Sequence, residues 1–198
     1  MIKAIVFDFE GIMYFEADLF SRRYSRDFGL AIENFSEFFR GPFQDCLVGK
    51  ADLKEILIEY APKWGWKGSV DELLEYWFSD GRYDPDIIDL VKSLRAKGIA
   101  CMLCTNNEKH RLSRMDTDLN FIRHFDWFFP SHETGMLKPD RGVFEMVCKK
   151  SGFSADEIVF LDDEREHVAA ARKFGMHGIL YSNMTHLRSE LAKLGVVL

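Results

Sequence analysis

Ala4-Ile5-Val6-Phe7-Asp8-Phe9-Glu10-Gly11 sets four apolar residues directly against a carboxylate, with a glycine close behind. The same grammar returns twice. Ile99 to Cys104 runs into Thr105-Asn106, and Ile158-Val159-Phe160-Leu161 runs into Asp162-Asp163. Short apolar runs that stop on polar residues read as buried parallel strands, and open α/β sheets carry their chemistry at the carboxyl ends of such strands. Helical signals alternate with them. Asp84-Pro85 caps a helix whose apolar face is Ile87, Ile88, Val91 and Leu94, with Gly98 beyond its end. A helical stretch around 108–125 leads to strand Trp127-Phe128-Phe129, and Pro139-Asp140 opens another helix before Gly152. A helix over 164–174, a strand over 178–181 and a helix over 185–194 follow. The alternation predicts an α/β fold, with a parallel sheet covered on both faces and right-handed crossovers.

From Tyr14 to about Arg82 the period changes to a helical one, rich in aromatics such as Phe20, Tyr24, Phe28, Phe35, Phe38 and Phe39. Gly29, Gly41-Pro42, Gly49 and Gly65 punctuate it. This predicts a bundle of short helices inserted after the first strand, placed to cover the Asp8 end. Trp64-Gly65-Trp66-Lys67 and Tyr76-Trp77-Phe78 are candidates for substrate contact within it, although aromatic residues at such spacing more often form core.

Composition bounds the rest. A chain of 198 residues, 47% hydrophobic and 29% charged, supports one core plus a small insertion. The net charge is -6 with basic residues dispersed, which argues against a nucleic-acid partner. No apolar run is long enough for a membrane span, and strand chemistry begins at once, with no signal peptide expected. Cys101 and Cys104 fall on opposite faces of one strand, so they do not share a metal. All four cysteines are expected as reduced thiols of a cytoplasmic protein.

The polar ends spell a reaction centre. Asp8 can attack phosphorus and form an aspartyl-phosphate, though an Asp after a strand also serves as a helix cap. Thr105 offers a hydroxyl, and it and Asn106 offer backbone N–H groups suited to phosphate oxygens. Lys138, in Gly135-Met136-Leu137-Lys138-Pro139-Asp140, supplies a point charge for the nucleophile and the transferring group. Asp162 and Asp163 are costly to bury side by side unless a cation compensates them. Mg²⁺ suits oxygens from Asp8, the Glu10 backbone carbonyl and Asp163, with Asp162 acting directly or through water.

These four segments, in this order, resemble the haloacid dehalogenase superfamily, in the subgroup with a small helical cap. Val159-Phe160-Leu161-Asp162-Asp163 with Val168-Ala169-Ala170-Ala171 and Gly175-Met176 carries the likeness most closely. The tail Leu187-Arg188-Ser189-Glu190-Leu191, then Leu194-Gly195-Val196, looks like glucose-1-phosphatase-like members. The resemblance implies a Rossmann-like core over 1–13 and 83–198 with a cap over 14–82. It implies a Mg²⁺-dependent phosphatase for a small phosphorylated metabolite, a sugar phosphate among the options, acting as a monomer or homodimer. By resemblance Asp8 is the nucleophile, Thr105 and Asn106 bind phosphate, Lys138 is the catalytic lysine and Asp163 binds Mg²⁺. Glu10 stands where the phosphatases carry an Asp acid/base, one methylene longer. His167 stands where the subgroup usually has Asn, and is read as supporting the site. Two other functions stay open. A catalytically weak relative binding a phosphorylated ligand or a partner protein would explain Glu10, and a 2-haloacid dehalogenase would need Asp8 without metal.

Overall fold

Every residue of Ala4–Phe7 (β1) is buried, because neighbours cover both faces of the strand. The computed structural model describes residues 1–197; Leu198, the last residue of the expected core segment, lies outside them. After β1 the chain turns through Gly11, at φ +70, into a short strand, Tyr14–Glu16 (β2). Five helices follow: α1 (Phe20–Phe28), α2 (Ser36–Arg40), α3 (Pro42–Leu47), α4 (Leu53–Lys63) and α5 (Val70–Phe78). Strand β3 (Gly81–Tyr83) then pairs antiparallel with β2, setting Glu16 opposite Gly81. The sequence reading had no strand at either place.

Helix α6 (Pro85–Ala96) starts as expected, with the Asp84 side chain accepting a hydrogen bond from Asp86 N at 3.0 Å. Next come β4 (Ala100–Thr105), α7 (Lys109–Leu119), β5 (Trp127–Pro130), α8 (Ser131–Thr134) and α9 (Arg141–Ser151). The expected helix over 108–125 stops early, because Asn120 takes a left-handed φ of 48° and only a 3₁₀ turn, Ile122–His124, follows. Strand β6 (Ile158–Asp162), α10 (Arg165–Phe174), β7 (His177–Leu180) and α11 (Met184–Lys193) complete the chain.

The five longer strands form a parallel sheet in the order β5-β4-β1-β6-β7. Alternation along each strand divides its side chains between two cores. Ile5, Phe7, Cys101, Leu103, Val159 and Leu161 face one, while Ala4, Val6, Met102, Cys104, Ile158 and Phe160 face the other. Cys101 and Cys104 thus point apart, and burial pushes both thiols up to about 12, far from reactive thiolates. Successive strands are added first on one side of β1 and then on the other. The order therefore reverses at β1, and such a switch point opens a crevice at the strand ends.

The helices between β2 and β3 have their own core, built on Phe20, Tyr24, Phe38, Leu57, Trp64 and Trp77. Phe20 stacks on Trp77 at 4.3 Å between ring centres. The buried Arg23 ties this bundle together, donating to the Trp77 carbonyl at 2.9 Å and pairing with Asp80 at 3.1 Å. Asp52, the N-cap of α4, meets His110 of α7 at 2.7 Å and pairs with Lys109, joining the bundle to the sheet domain's helices. Among the described residues, no helix is long and apolar enough to cross a membrane.

Candidate active site

Asp8 lies one residue past β1, held there by its own N–H donating to the Leu161 carbonyl at 2.9 Å. Its carboxylate oxygen Oδ1 accepts from Phe9 N at 2.7 Å and meets Lys138 Nζ at 2.6 Å. Oδ2 has no hydrogen-bond partner among the described residues and is the oxygen left for chemistry. Lys138 Nζ also reaches Asp162 Oδ2 at 2.7 Å, so one buried ammonium bridges two buried carboxylates.

One cation cannot satisfy two buried anions equally. Asp162 has further donors, Glu164 N at 2.9 Å and His167 Nδ1 at 3.1 Å. Against the cost of burial, His167 and Lys138 hold Asp162 below the usual carboxylate range. Asp8 has less help. Burial pushes it up to about 7, against the pull of Lys138. Lys138 itself is held protonated above its usual range by Asp8 and Asp162, despite burial. His167 is likewise raised, because its bond to Asp162 outweighs burial.

Asn106 does not extend its amide toward the crevice. Its Nδ2 donates to the Lys138 carbonyl at 2.9 Å, and its Oδ1 accepts from Lys138 N at 2.8 Å. Thr105 is buried at the end of β4, its hydroxyl accepting from Asn107 Nδ2 at 2.8 Å. The same Asn107 amide donates to Glu10 Oε2 at 2.9 Å. Arg111 Nη2 lies 2.7 Å from Glu10 Oε1 and 2.7 Å from Glu16 Oε1. Asn107, Arg111 and Glu16 were not among the candidates read from sequence. Nothing in their spacing marks them, since Asn107 and Glu10 are 97 residues apart.

Asp163 lies against Gly11. A Cβ at position 11 would overlap its carboxylate, so Gly11 is required both by φ and by this approach. Burial and the neighbouring Asp162 raise Asp163 above the usual carboxylate range. No side-chain cation pairs with it among the described residues. Asp163 is set against Gly11, in the same turn that carries Asp8 and Glu10, and hard oxygens such as carboxylates and a backbone carbonyl are the donors that a small divalent cation takes. A carboxylate oxygen of Asp8, one of Asp162 and a nitrogen of His167 also lie within 4.8 Å of one another. There, however, the Lys138 ammonium already bridges the two carboxylates.

The aromatic candidates of the helical bundle divide: Trp64 and Trp77 are core, while Trp66, Tyr76 and Phe78 are only partly buried against it. The Tyr76 hydroxyl bonds Asp27 at 2.8 Å, and the Trp66 indole bonds the Ser69 carbonyl at 2.9 Å.

A parallel sheet whose switch point gathers two buried carboxylates bridged by a lysine ammonium places charged groups where open α/β sheets hold their ligands. Residues 2–175 match the model of the haloacid dehalogenase-like hydrolases, and the chain belongs to that family. It is 30% identical over 200 residues to the sesquiterpene phosphatase astK of Aspergillus oryzae, covering 96% of this chain and 92% of that protein. It is 24% identical over 216 residues to bifunctional epoxide hydrolase 2 of Mus musculus, where it spans only 38% of that protein. In fold it is similar to a family enzyme of Bacteroides thetaiotaomicron solved in complex with magnesium and inorganic phosphate. That likeness has a TM-score of 0.81 at 19% identity, over 94% of this chain and 99% of that one.

Proposed function

We propose that the chain is a Mg²⁺-dependent phosphatase that hydrolyses a small phosphorylated metabolite through an aspartyl-phosphate. The observation that carries this reading is the Asp8–Lys138–Asp162 bridge at the carboxyl ends of β1 and β6, beside Thr105 at the end of β4. Relatives named as phosphatases support it, among them the sesquiterpene phosphatase and a phosphoglycolate phosphatase of Pseudomonas fluorescens.

In this reading Asp8 Oδ2 attacks phosphorus and the bond from phosphorus to the ester oxygen breaks. The bonding pair leaves with that oxygen, which takes a proton from the Glu10 carboxyl. Water then attacks the aspartyl-phosphate, gives its proton to Glu10 and releases phosphate, restoring Asp8. Lys138 balances charge on Asp8 and on the phosphoryl oxygens, and Thr105 with nearby backbone N–H groups binds those oxygens. Mg²⁺, held by Asp8, the Glu10 carbonyl and Asp163, would supply further charge stabilisation and keep Asp8 ionised. In this reading Asp162 acts by fixing Lys138, and residues 14–82 form a cap.

The test is phosphate release from a panel including sugar phosphates, phosphoglycolate and prenyl phosphates, with and without Mg²⁺, for the native chain and Glu10→Asp. Metal-dependent turnover by the native chain supports the phosphatase. Turnover only after Glu10→Asp would favour a phospho-ligand-binding role, and halide release that persists in chelator would favour dehalogenation.

A further inference from the structure

Glu10 presents a problem that the phosphatase reading does not solve. Its carboxylate hangs on one methylene more than an aspartate, its side chain is 34% exposed, and an unrestrained glutamate samples many rotamers. Acid/base catalysis demands the opposite, because a misplacement of about 1 Å can cost roughly 100-fold in rate.

The structure restrains it from two sides. Asn107 Nδ2 donates to Oε2 at 2.9 Å, and Arg111 Nη2 lies 2.7 Å from Oε1. Arg111 comes from the first turn of α7, the helix that follows β4, and only 13% of its side chain is exposed. Its own backbone is fixed, with Arg111 N donating to the Glu108 carboxylate at 2.5 Å. The guanidinium therefore has a rigid origin.

We propose that Arg111, shared between Glu10 and Glu16, is the positioning residue for the Glu10 carboxylate during phosphoryl transfer. This rests on the phosphatase reading. The nitrogen–oxygen separations of 2.7 Å to both carboxylates are those of ion pairs, so one guanidinium ties Glu10 to Glu16. Glu16 gives the largely buried guanidinium a second counter-charge, so Arg111 keeps its place whatever Glu10 does in the reaction. Glu16 belongs to β2, which leads into the helical bundle, and the Tyr14 ring lies 5.8 Å from the guanidinium.

The experiment uses the full chain with Mg²⁺ and two substrates, p-nitrophenyl phosphate and a simple alkyl phosphate. Nitrophenolate leaves readily without a proton, whereas an alkoxide needs one from Glu10. kcat/KM reports the step that forms the aspartyl-phosphate. Arg111→Met is expected to lower kcat/KM for the alkyl ester about 10- to 100-fold more than for the aryl ester. Arg111→Lys, which restores the charge, is expected to recover part of the alkyl loss and to show the same bias in smaller measure. It serves alone if Arg111→Met does not fold. Equal losses on both substrates, or a rise in KM with kcat unchanged, would overturn the positioning role while leaving the phosphatase intact. No Mg²⁺-dependent phosphate release by the native chain from either substrate would overturn both.

Discussion

Asn106 grips Lys138 by the main chain, donating to its carbonyl at 2.9 Å and accepting from its N–H at 2.8 Å. A lysine side chain has four rotatable carbons, and only a fixed backbone lets its ammonium sit reproducibly between Asp8 and Asp162. The residue just past β4 thus sets the charge that serves the ends of β1 and β6.

Removing the grip has a definite expected cost. Asn106→Ala leaves the Lys138 N–H and carbonyl without those partners, which destabilises by about 1–3 kcal/mol. Phosphate release should fall at least about tenfold, since Lys138 would lose its register with Asp8. Thermal melts and steady-state assays on the same preparation read both. Unchanged turnover would show that the grip is structural only.

Lys138→Met leaves Asp8 and Asp162 facing each other with no cation between them. Breaking a buried charge set from one side costs about 3–5 kcal/mol. Adding Asp8→Asn should recover part of that loss without restoring activity. A double-mutant cycle by denaturant unfolding measures the coupling, and strict additivity would contradict the bridge.

The raised Asp8 fixes a pH dependence. Its folded-state value is about 7 against an ordinary 3.8, so between these the folded chain holds a proton that the unfolded chain has lost. Stability should therefore decline as pH rises from about 4 to 7, then level off. Melts in chelator from pH 5 to 8 should show this slope in the native chain and a flatter one in Asp8→Asn. At pH 8, added Mg²⁺ should raise the native melting temperature more than that of Asp8→Asn. Parallel curves for the two proteins would refute the assignment.

Phe20→Ala tests the helical bundle separately. The ring is buried and stacks on Trp77, so its loss should cost about 3–5 kcal/mol. Chemical denaturation followed by tryptophan fluorescence reads this directly, because Trp64 and Trp77 share the same core.

Local pattern made the sheet legible. The strands β1, β4, β5 and β6 are built on continuous apolar runs, and alternation alone separated Cys101 from Cys104. The helix starting at Asp84-Pro85 could be read from its cap. What stayed hidden depends on distant partners. Tyr14–Glu16 and Gly81–Tyr83 are three residues each and become strands only by pairing across the whole helical bundle. The order of acidic, hydroxyl and lysine positions brought Asp8, Lys138 and Asp162 into view. It could not show that both amide atoms of Asn106 are spent on Lys138, nor that Arg111 and Asn107 converge on Glu10. Those pairings arise from the fold's geometry, and no spacing along the chain encodes them.

The pairing of Glu16 with Gly81 has a consequence for how such a chain can change. Residues 17–80 leave the sheet and return to it through one doorway, a single rung wide. A segment of another length, closing on the same rung, could be spliced in without stretching β1 or displacing α6, and the entropy of closing a longer loop grows only slowly. The doorway makes residues 17–80 one closed excursion whose two ends lie side by side, so a change of length inside it need only be absorbed by the bundle and by ties such as Asp52 with His110.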